Sequence, residues 1–328
     1  MTEAPNLLAF AALAGAVGIL PGAVARAEPP EEGQTVVSAE GAEAEAGPNV
    51  GWQPRSPRQT EGGEAGPSEG AEPSRLHLSL GADYTTAYFN RGYKIEDSGW
   101  IVQPFVDLSL DVFRLEDATV SITTGTWNSF QGAATDAGTS DQFTKYWYEC
   151  DLYAGVGLTA GQWDFQARYY AYTSPSDAFE TIEEIYLSGA FDDSELLGEW
   201  ALHPSAIVAI EIGDVANDGE GTGSYLQLGI APGFTFDAGS LTDLAVTFPA
   251  SVGLSLHDYY EGPDGENDFF GYASVGAVLA VPLPVDKSWG EWTLRAGVQG
   301  LYLGDVTSEA NDGNHFEVIG TAGVTVEF

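Results

Sequence analysis

Residues 100–113 read Trp-Ile-Val-Gln-Pro-Phe-Val-Asp-Leu-Ser-Leu-Asp-Val-Phe. Trp100, Val102, Val106, Leu108, Leu110 and Val112 fall on one phase of a two-residue repeat, and Gln103, Asp107, Ser109 and Asp111 fall on the other. Side chains of a strand point alternately to its two faces, so this segment predicts a strand with one face for an apolar medium and one for water. Strands of soluble sandwiches average about five or six residues, whereas a tilted strand needs roughly 9–11 to cross a bilayer. The length favours a membrane crossing over a β-sandwich.

The pattern continues in both directions. Residues 76–89 place Leu76, Leu78, Leu80, Ala82 and Tyr84 opposite His77, Ser79, Gly81, Asp83 and Thr85. Further strands are predicted near 118–130, 146–159, 163–173, 183–192, 204–214, 224–236, 244–257, 270–282, 291–304 and 315–328, twelve in all. The expected fold is all-β: an antiparallel transmembrane β-barrel over 76–328. An even count returns both ends of the barrel to one side, as single-chain bacterial barrels require. The last strand sets Phe316, Val318, Gly320, Ala322, Val324, Val326 and Phe328 on one face. A terminal strand closing on Phe328 resembles the signal by which outer-membrane barrels are recognised for assembly, which implies the barrel-assembly machinery as a partner.

The connections alternate in kind. Short ones, 114–117 and 160–162, follow even strands. Those after odd strands (90–99, 131–145, 174–182, 215–223, 258–269, 305–314) carry sixteen Asp or Glu and three Lys or Arg, and are expected to face outside the cell. None exceeds about fifteen residues, too short by this reading for an elaborate plug. Aromatics collect at strand ends, among them Tyr84, Tyr88, Trp100, Tyr146, Trp147, Trp163, Tyr259, Tyr260, Phe269, Phe270, Trp292 and Tyr302, as expected of two interfacial girdles.

Composition narrows the class. With 49 acidic against 11 basic residues the formal net charge is −38, so no basic face exists for nucleic acid. A single cysteine, Cys150, excludes an internal disulfide framework and a cysteine-based structural zinc site. The longest apolar run, Leu7 to Leu20, precedes the small-residue pattern Ala25-Arg26-Ala27 and predicts a signal peptide over 1–27. Residues 28–75 hold ten Glu, seven Pro and eight Gly but no Leu, Ile, Phe or Tyr. Such a segment cannot offset its ordering entropy, and a disordered acidic periplasmic tail is expected, either a solvated spacer or a contact to peptidoglycan or a partner.

If the apolar phase meets outer-membrane lipid, strand charges belong in the lumen, because a charge at the bilayer midplane costs roughly 2–4 kcal/mol in a barrel. Asp83, Asp107, Asp111, Glu211, Arg295 and Glu317 fall on the polar phase, as does a denser set: Glu149, Asp151, Arg168, Tyr170, Tyr172, Glu184 and Tyr186. Arg168 lies on the strand between the carboxylates and is placed to bridge them across neighbours about 4.8 Å apart. Two readings of the dense set are compatible: an ion-paired filling of the lumen, and a constriction favouring cations. No cofactor is expected. Asp264, Glu266 and Asp268 surround a glycine as calcium loops do, but Asn, Asp and Gly are also ordinary turn residues. Four scattered histidines form no nucleophile motif, although His257 with Ser255, or His315, keeps a surface hydrolase in view.

Several segments together resemble the Gcw-chp family of bacterial outer-membrane proteins: Gly81-Ala82-Asp83-Tyr84, Arg91-Gly92, Glu149-Cys150-Asp151-Leu152-Tyr153-Ala154-Gly155, Tyr170-Ala171-Tyr172 and Glu183-Glu184. The likeness spans residues 78–192. It implies a porin-like barrel in the outer membrane and names no substrate. The resulting expectation is passive passage of small hydrophilic solutes or cations; the rival is a non-conducting barrel that makes surface contacts through its acidic loops.

Overall fold

The computed structural model describes residues 74–134, 136–217, 222–236, 244–262, 265 and 267–328. The signal peptide and all but the last two residues of the acidic tail lie outside the described residues, as do Asp264 and Glu266. The chain begins with β1 (Leu76–Thr85) and a small hairpin of β2 (Tyr88–Asn90) and β3 (Tyr93–Glu96). Next come β4 (Ile101–Arg114), β5 (Ala118–Gln131), β6 (Trp147–Ala160), β7 (Trp163–Thr173), β8 (Ile182–Phe191) and β9 (Ser205–Glu211). One crossing is divided into β10 (Ser224–Ile230) and β11 (Gly233–Phe236), and the following one into β12 (Leu244–Thr247) and β13 (Ala250–His257). β14 (Phe270–Pro282), β15 (Glu291–Leu303) and β16 (Phe316–Glu327) complete the set.

Each crossing pairs antiparallel with its neighbours, β14 pairs with β15, and β1 pairs with β16 through Leu80↔Val326 and Tyr84↔Ala322. The sheet is a closed twelve-strand barrel, which leaves no unpaired edge. The two divided crossings carry Pro232 and Pro249, and proline has no N–H for the ladder. The Phe248 N–H donates to the Pro232 carbonyl at 2.8 Å and holds the divided strands together.

The period-two reading is visible as burial. Along β4, Ile101, Gln103, Phe105, Asp107, Ser109 and Asp111 are buried, while Val106, Leu108 and Leu110 between them are exposed. Large apolar side chains are exposed on strand after strand: Ile122, Leu152, Val156, Phe165, Leu187, Leu294 and Val298. A soluble protein does not present such a continuous apolar surface, so the outer face is built for lipid. The shortest connections, 115–117 and 161–162, lie at one end, here the turn end, together with the longer connection 192–204. The two-residue link after β6 uses Gly161 at φ +57°, a left-handed conformation that glycine adopts without penalty. The connections 132–146, 174–181 and 304–315 lie at the other end, the loop end.

Four expectations are corrected. The first strand stops at Thr85 rather than 89, where the Thr85 hydroxyl donates to the Ala87 carbonyl and the chain bends inward. Residues 90–99 are not an outside loop: 90–96 are the tip and second strand of the β2–β3 hairpin. Arg91 (φ +47°) and Gly92 (φ +96°) form its two-residue turn, the left-handed pair that matches strand twist in tight hairpins. Tyr88, Tyr259 and Tyr260, expected in a girdle, are 0–1% exposed. The lumen is not uniformly polar, because Ile101, Phe105, Trp127, Leu301, Leu303 and Ile319 point inward.

Those inward apolar residues receive the hairpin. Tyr88 packs with Ile101, Phe105 and Trp127 of β4 and β5, and Phe89 packs with Ala209, Tyr225, Leu301 and Leu303 of β9, β10 and β15. Contacts around the wall are possible only from inside the barrel. Twelve strands tilted about 40° at 4.8 Å spacing enclose a bore of roughly 24 Å between backbones. A hairpin with its side chains is on the order of 10 Å across each way, so it takes up much of the bore at the loop end.

Candidate functional site

The site follows from what the hairpin brings into an acidic wall. Arg91 sits at the turn, and its side chain is 7% exposed against 1% for that of Glu184 on β8. The guanidinium donates from Nη1 to Glu184 Oε1 at 2.6 Å and from Nη2 to Oε2 at 2.8 Å, a two-pronged charge-assisted pair. Nη1 also donates to the Tyr259 hydroxyl at 2.7 Å, and the cation stacks 4.7 Å from the Tyr225 ring centre and 5.5 Å from that of Tyr259. The Tyr260 hydroxyl donates to the Arg91 carbonyl at 2.9 Å. Gly271 makes room for that tyrosine: a Cβ there would fall 1.9 Å from Tyr260 Cζ.

Two further ties hold the hairpin. The Tyr88 hydroxyl donates to Glu149 Oε2 on β6 at 2.6 Å. Lys94 on β3 donates to Asp312 at 2.7 Å, in the connection that follows helix α1 (Asp305–Glu309). The Asp312 hydrogen bond lifts the Lys94 ammonium above its ordinary pKa, and Lys94 holds the Asp312 carboxyl below the usual range. Thr307 of α1 donates to the Gly271 carbonyl at 2.6 Å, which packs this connection over the hairpin.

The expected constriction residues are brought together on β6, β7 and β8. Tyr172 donates to Glu184 at 2.8 Å, and Tyr170 stacks on Tyr172 (5.7 Å between centres) and packs on Tyr153 and Tyr186. Arg168 donates to the Tyr170 hydroxyl at 3.3 Å and lies 5.2 Å from the centre of the Tyr153 ring. Glu184 takes its two-pronged contact from Arg91, a residue the strand pattern places in an outside loop. Glu149 and Asp151 lie two residues apart on β6 and both face the lumen. Neither carboxylate oxygen of Asp151 accepts from a donor group among the described residues, and the two carboxyls lie within hydrogen-bond reach of one another.

Other expected lumen charges do different work. Asp83 pairs with Arg295 at 3.0 Å across β16, and Asp107 accepts from Tyr153 at 2.9 Å. Asp111, at the turn end, accepts from Arg114 at 2.7 Å and meets His77 at 3.4 Å. Glu211 accepts the backbone N–H groups of Asn217 and Gly223, and Glu317 accepts from Asn311, so both fasten loops. Phe328 pairs its backbone with Leu78 and exposes its ring. Of the calcium-loop candidates only Asp268 is described; its backbone N–H donates to the Tyr260 carbonyl. His257 contacts Asp258 at 3.3 Å, His315 meets the Leu303 carbonyl at 3.0 Å, and the Ser255 hydroxyl donates to Asn267.

No protein-family model matches the chain, and no curated protein does. Solved structures of similar shape exist at low identity. An outer membrane channel from Pseudomonas putida F1 is 13% identical, covering 81% of this chain and 100% of that one at a TM-score of 0.44. Outer membrane phospholipase A from Escherichia coli is 13% identical over 79% of this chain and 94% of that one, with a TM-score of 0.39. The NanC porin is 10% identical over 76% of this chain and 98% of that one, with a TM-score of 0.36.

Proposed function

We propose that this barrel is an outer-membrane channel for small hydrophilic solutes, favouring cations, and that its own first loop constricts it. The observation that carries the reading is the contrast between wall and plug. The upper lumen presents Glu149, Asp151, Glu184 and Glu211, all buried, while the hairpin reaches them with one guanidinium and one tyrosine hydroxyl. A wall with more acid than base favours cations. A plug that is a sheet of its own, tied to the wall by side chains and not by the backbone ladder, is also one that can be displaced, and a displaced hairpin frees much of the bore. In this reading the loop end faces outward, the tail lies in the periplasm, and the barrel-assembly machinery inserts the chain. The likeness to the Gcw-chp family belongs to the same proposal, because its Arg91-Gly92 and Glu183-Glu184 elements meet in the hairpin anchor.

The test is ion conductance of the refolded protein in a planar bilayer. Stepwise openings with cation preference are expected, and the preference should fall in Glu149→Gln/Asp151→Asn. A folded barrel that stays silent even with its hairpin anchor removed would leave the second reading, a non-conducting barrel acting through its loops. That reading draws on the depth of hairpin burial, with Tyr88 0% and Phe89 1% exposed.

A further inference from the structure

Asp151 is 1% exposed, neither of its oxygens accepts a hydrogen bond from a donor group among the described residues, and its carboxyl lies within hydrogen-bond reach of the Glu149 carboxyl. Its charged neighbours Glu149 and Glu184 are both acids. Arg91 spends both guanidinium prongs on Glu184. An ionised carboxylate buried among like charges needs a positive partner.

The adjacent strand supplies neutral donors in the same condition. Ser129 on β5 lies directly opposite Glu149 in the β5–β6 register, is 0% exposed, and its hydroxyl is unpartnered. Gln131, two residues on and facing the same way, is 1% exposed with neither amide atom bonded. Asp151 and Ser129, on two paired strands, therefore hold buried oxygens that no donor group reaches, beside a Glu149 whose bond from Tyr88 occupies one carboxylate oxygen; Gln131 lies four positions along β5 from Trp127, the residue opposite Asp151. The only sulfur nearby, Cys150, lies on the opposite phase of β6, where it meets Thr126.

We propose that Asp151 and Glu149, with Ser129, form a binding site for a hard divalent cation, calcium in particular. Two carboxylates balance a double charge, and every donor is oxygen. Calcium accepts six to eight oxygens in flexible geometry, whereas magnesium sheds its water reluctantly and suits a buried protein cage poorly. The site goes beyond the channel reading, since a cation bound here steadies the β5–β6 wall beside Tyr88 whether or not ions pass.

The test is calorimetric titration of calcium into the refolded, chelator-stripped full barrel at physiological ionic strength, where contributions from the exposed loop acids are screened. One saturable site per chain is expected. Asp151→Asn should weaken it at least tenfold, Ser129→Ala should weaken it less, and Asp268→Asn in a loop should leave it unchanged. Terbium provides a second readout: Trp127, opposite Asp151 in the register, should sensitise its emission in the parent and not in Asp151→Asn. If Asp151→Asn does not fold, Ser129→Ala and Glu149→Gln carry the same test. Equal calcium binding by the parent and these variants would place the metal on the loops and overturn the site. So would the absence of saturable binding in the parent, which would mean that Asp151 carries a proton. Neither result depends on conductance, so a silent barrel that binds calcium separates this inference from the channel reading.

Discussion

Arg91→Ala will conduct far more than the parent barrel and will spend most of its time open. The reason is the anchor: removing one partner of a buried pair leaves the other charge uncompensated, at a cost of about 3–5 kcal/mol. Each 1.4 kcal/mol is about tenfold in an equilibrium, so the hairpin's open-to-closed ratio shifts by roughly two to three and a half orders of magnitude. Arg91 also sits at φ +47°, a conformation costing a non-glycine residue roughly 1–2 kcal/mol, so without its ion pair the turn has less reason to persist. The barrel wall is hydrogen-bonded independently of the hairpin and should keep its melting temperature within a few degrees. Arg91→Ala/Glu184→Gln removes the stranded charge and should close the channel part of the way. Unchanged conductance in Arg91→Ala, with the variant folded, would mean that the hairpin does not gate the bore.

Leu108→Arg will unfold the barrel or keep it from inserting. Leu108 lies at the middle of β4 on the exposed phase, and arginine at the midplane of a barrel's lipid face costs roughly 2–4 kcal/mol, falling to about 0–1 near the interface. Leu115→Arg, in the turn just beyond β4, is the depth control and should be tolerated. Equilibrium unfolding in lipid vesicles measures both. Equal tolerance of the two substitutions would show that the outer face is not in hydrocarbon.

The barrel itself was legible because lipid and lumen impose opposite demands on alternate residues. In β4 the sorting of Leu108 and Leu110 from Asp107, Ser109 and Asp111 needs no partner to be recognised. The breaks at Pro232 and Pro249 are written only as prolines inside otherwise regular alternation. The plug was harder to read. Tyr-Phe-Asn-Arg-Gly-Tyr-Lys-Ile-Glu, residues 88–96, contains a hairpin with a two-residue turn, but Arg-Gly is a less familiar turn pair than Asn-Gly or Asp-Gly. Its charge also argues for water. Arg91 is buried only because Glu184 waits for it 93 positions along the chain, a contact no local pattern reports. Tyr259 and Tyr260 misled for the same reason: at a strand end a tyrosine suits the headgroup region, and only the hairpin's presence gives it a place inside. The cluster on β6 to β8 was found by phase. Which arginine would reach Glu184 from the hairpin was beyond reach, because the hairpin's descent is a tertiary event.

Thiol labelling of the hairpin root bears most directly on the plugged lumen. In a Cys150→Ser background, Ala87→Cys and Ser140→Cys each place one small thiol, the first buried with the hairpin cluster and the second exposed in the β5–β6 connection. With a membrane-impermeant maleimide on the refolded barrel in vesicles, Ser140→Cys should react rapidly and Ala87→Cys should stay protected until Arg91→Ala is added. Equal labelling of both positions with Arg91 intact would contradict a hairpin held inside the barrel.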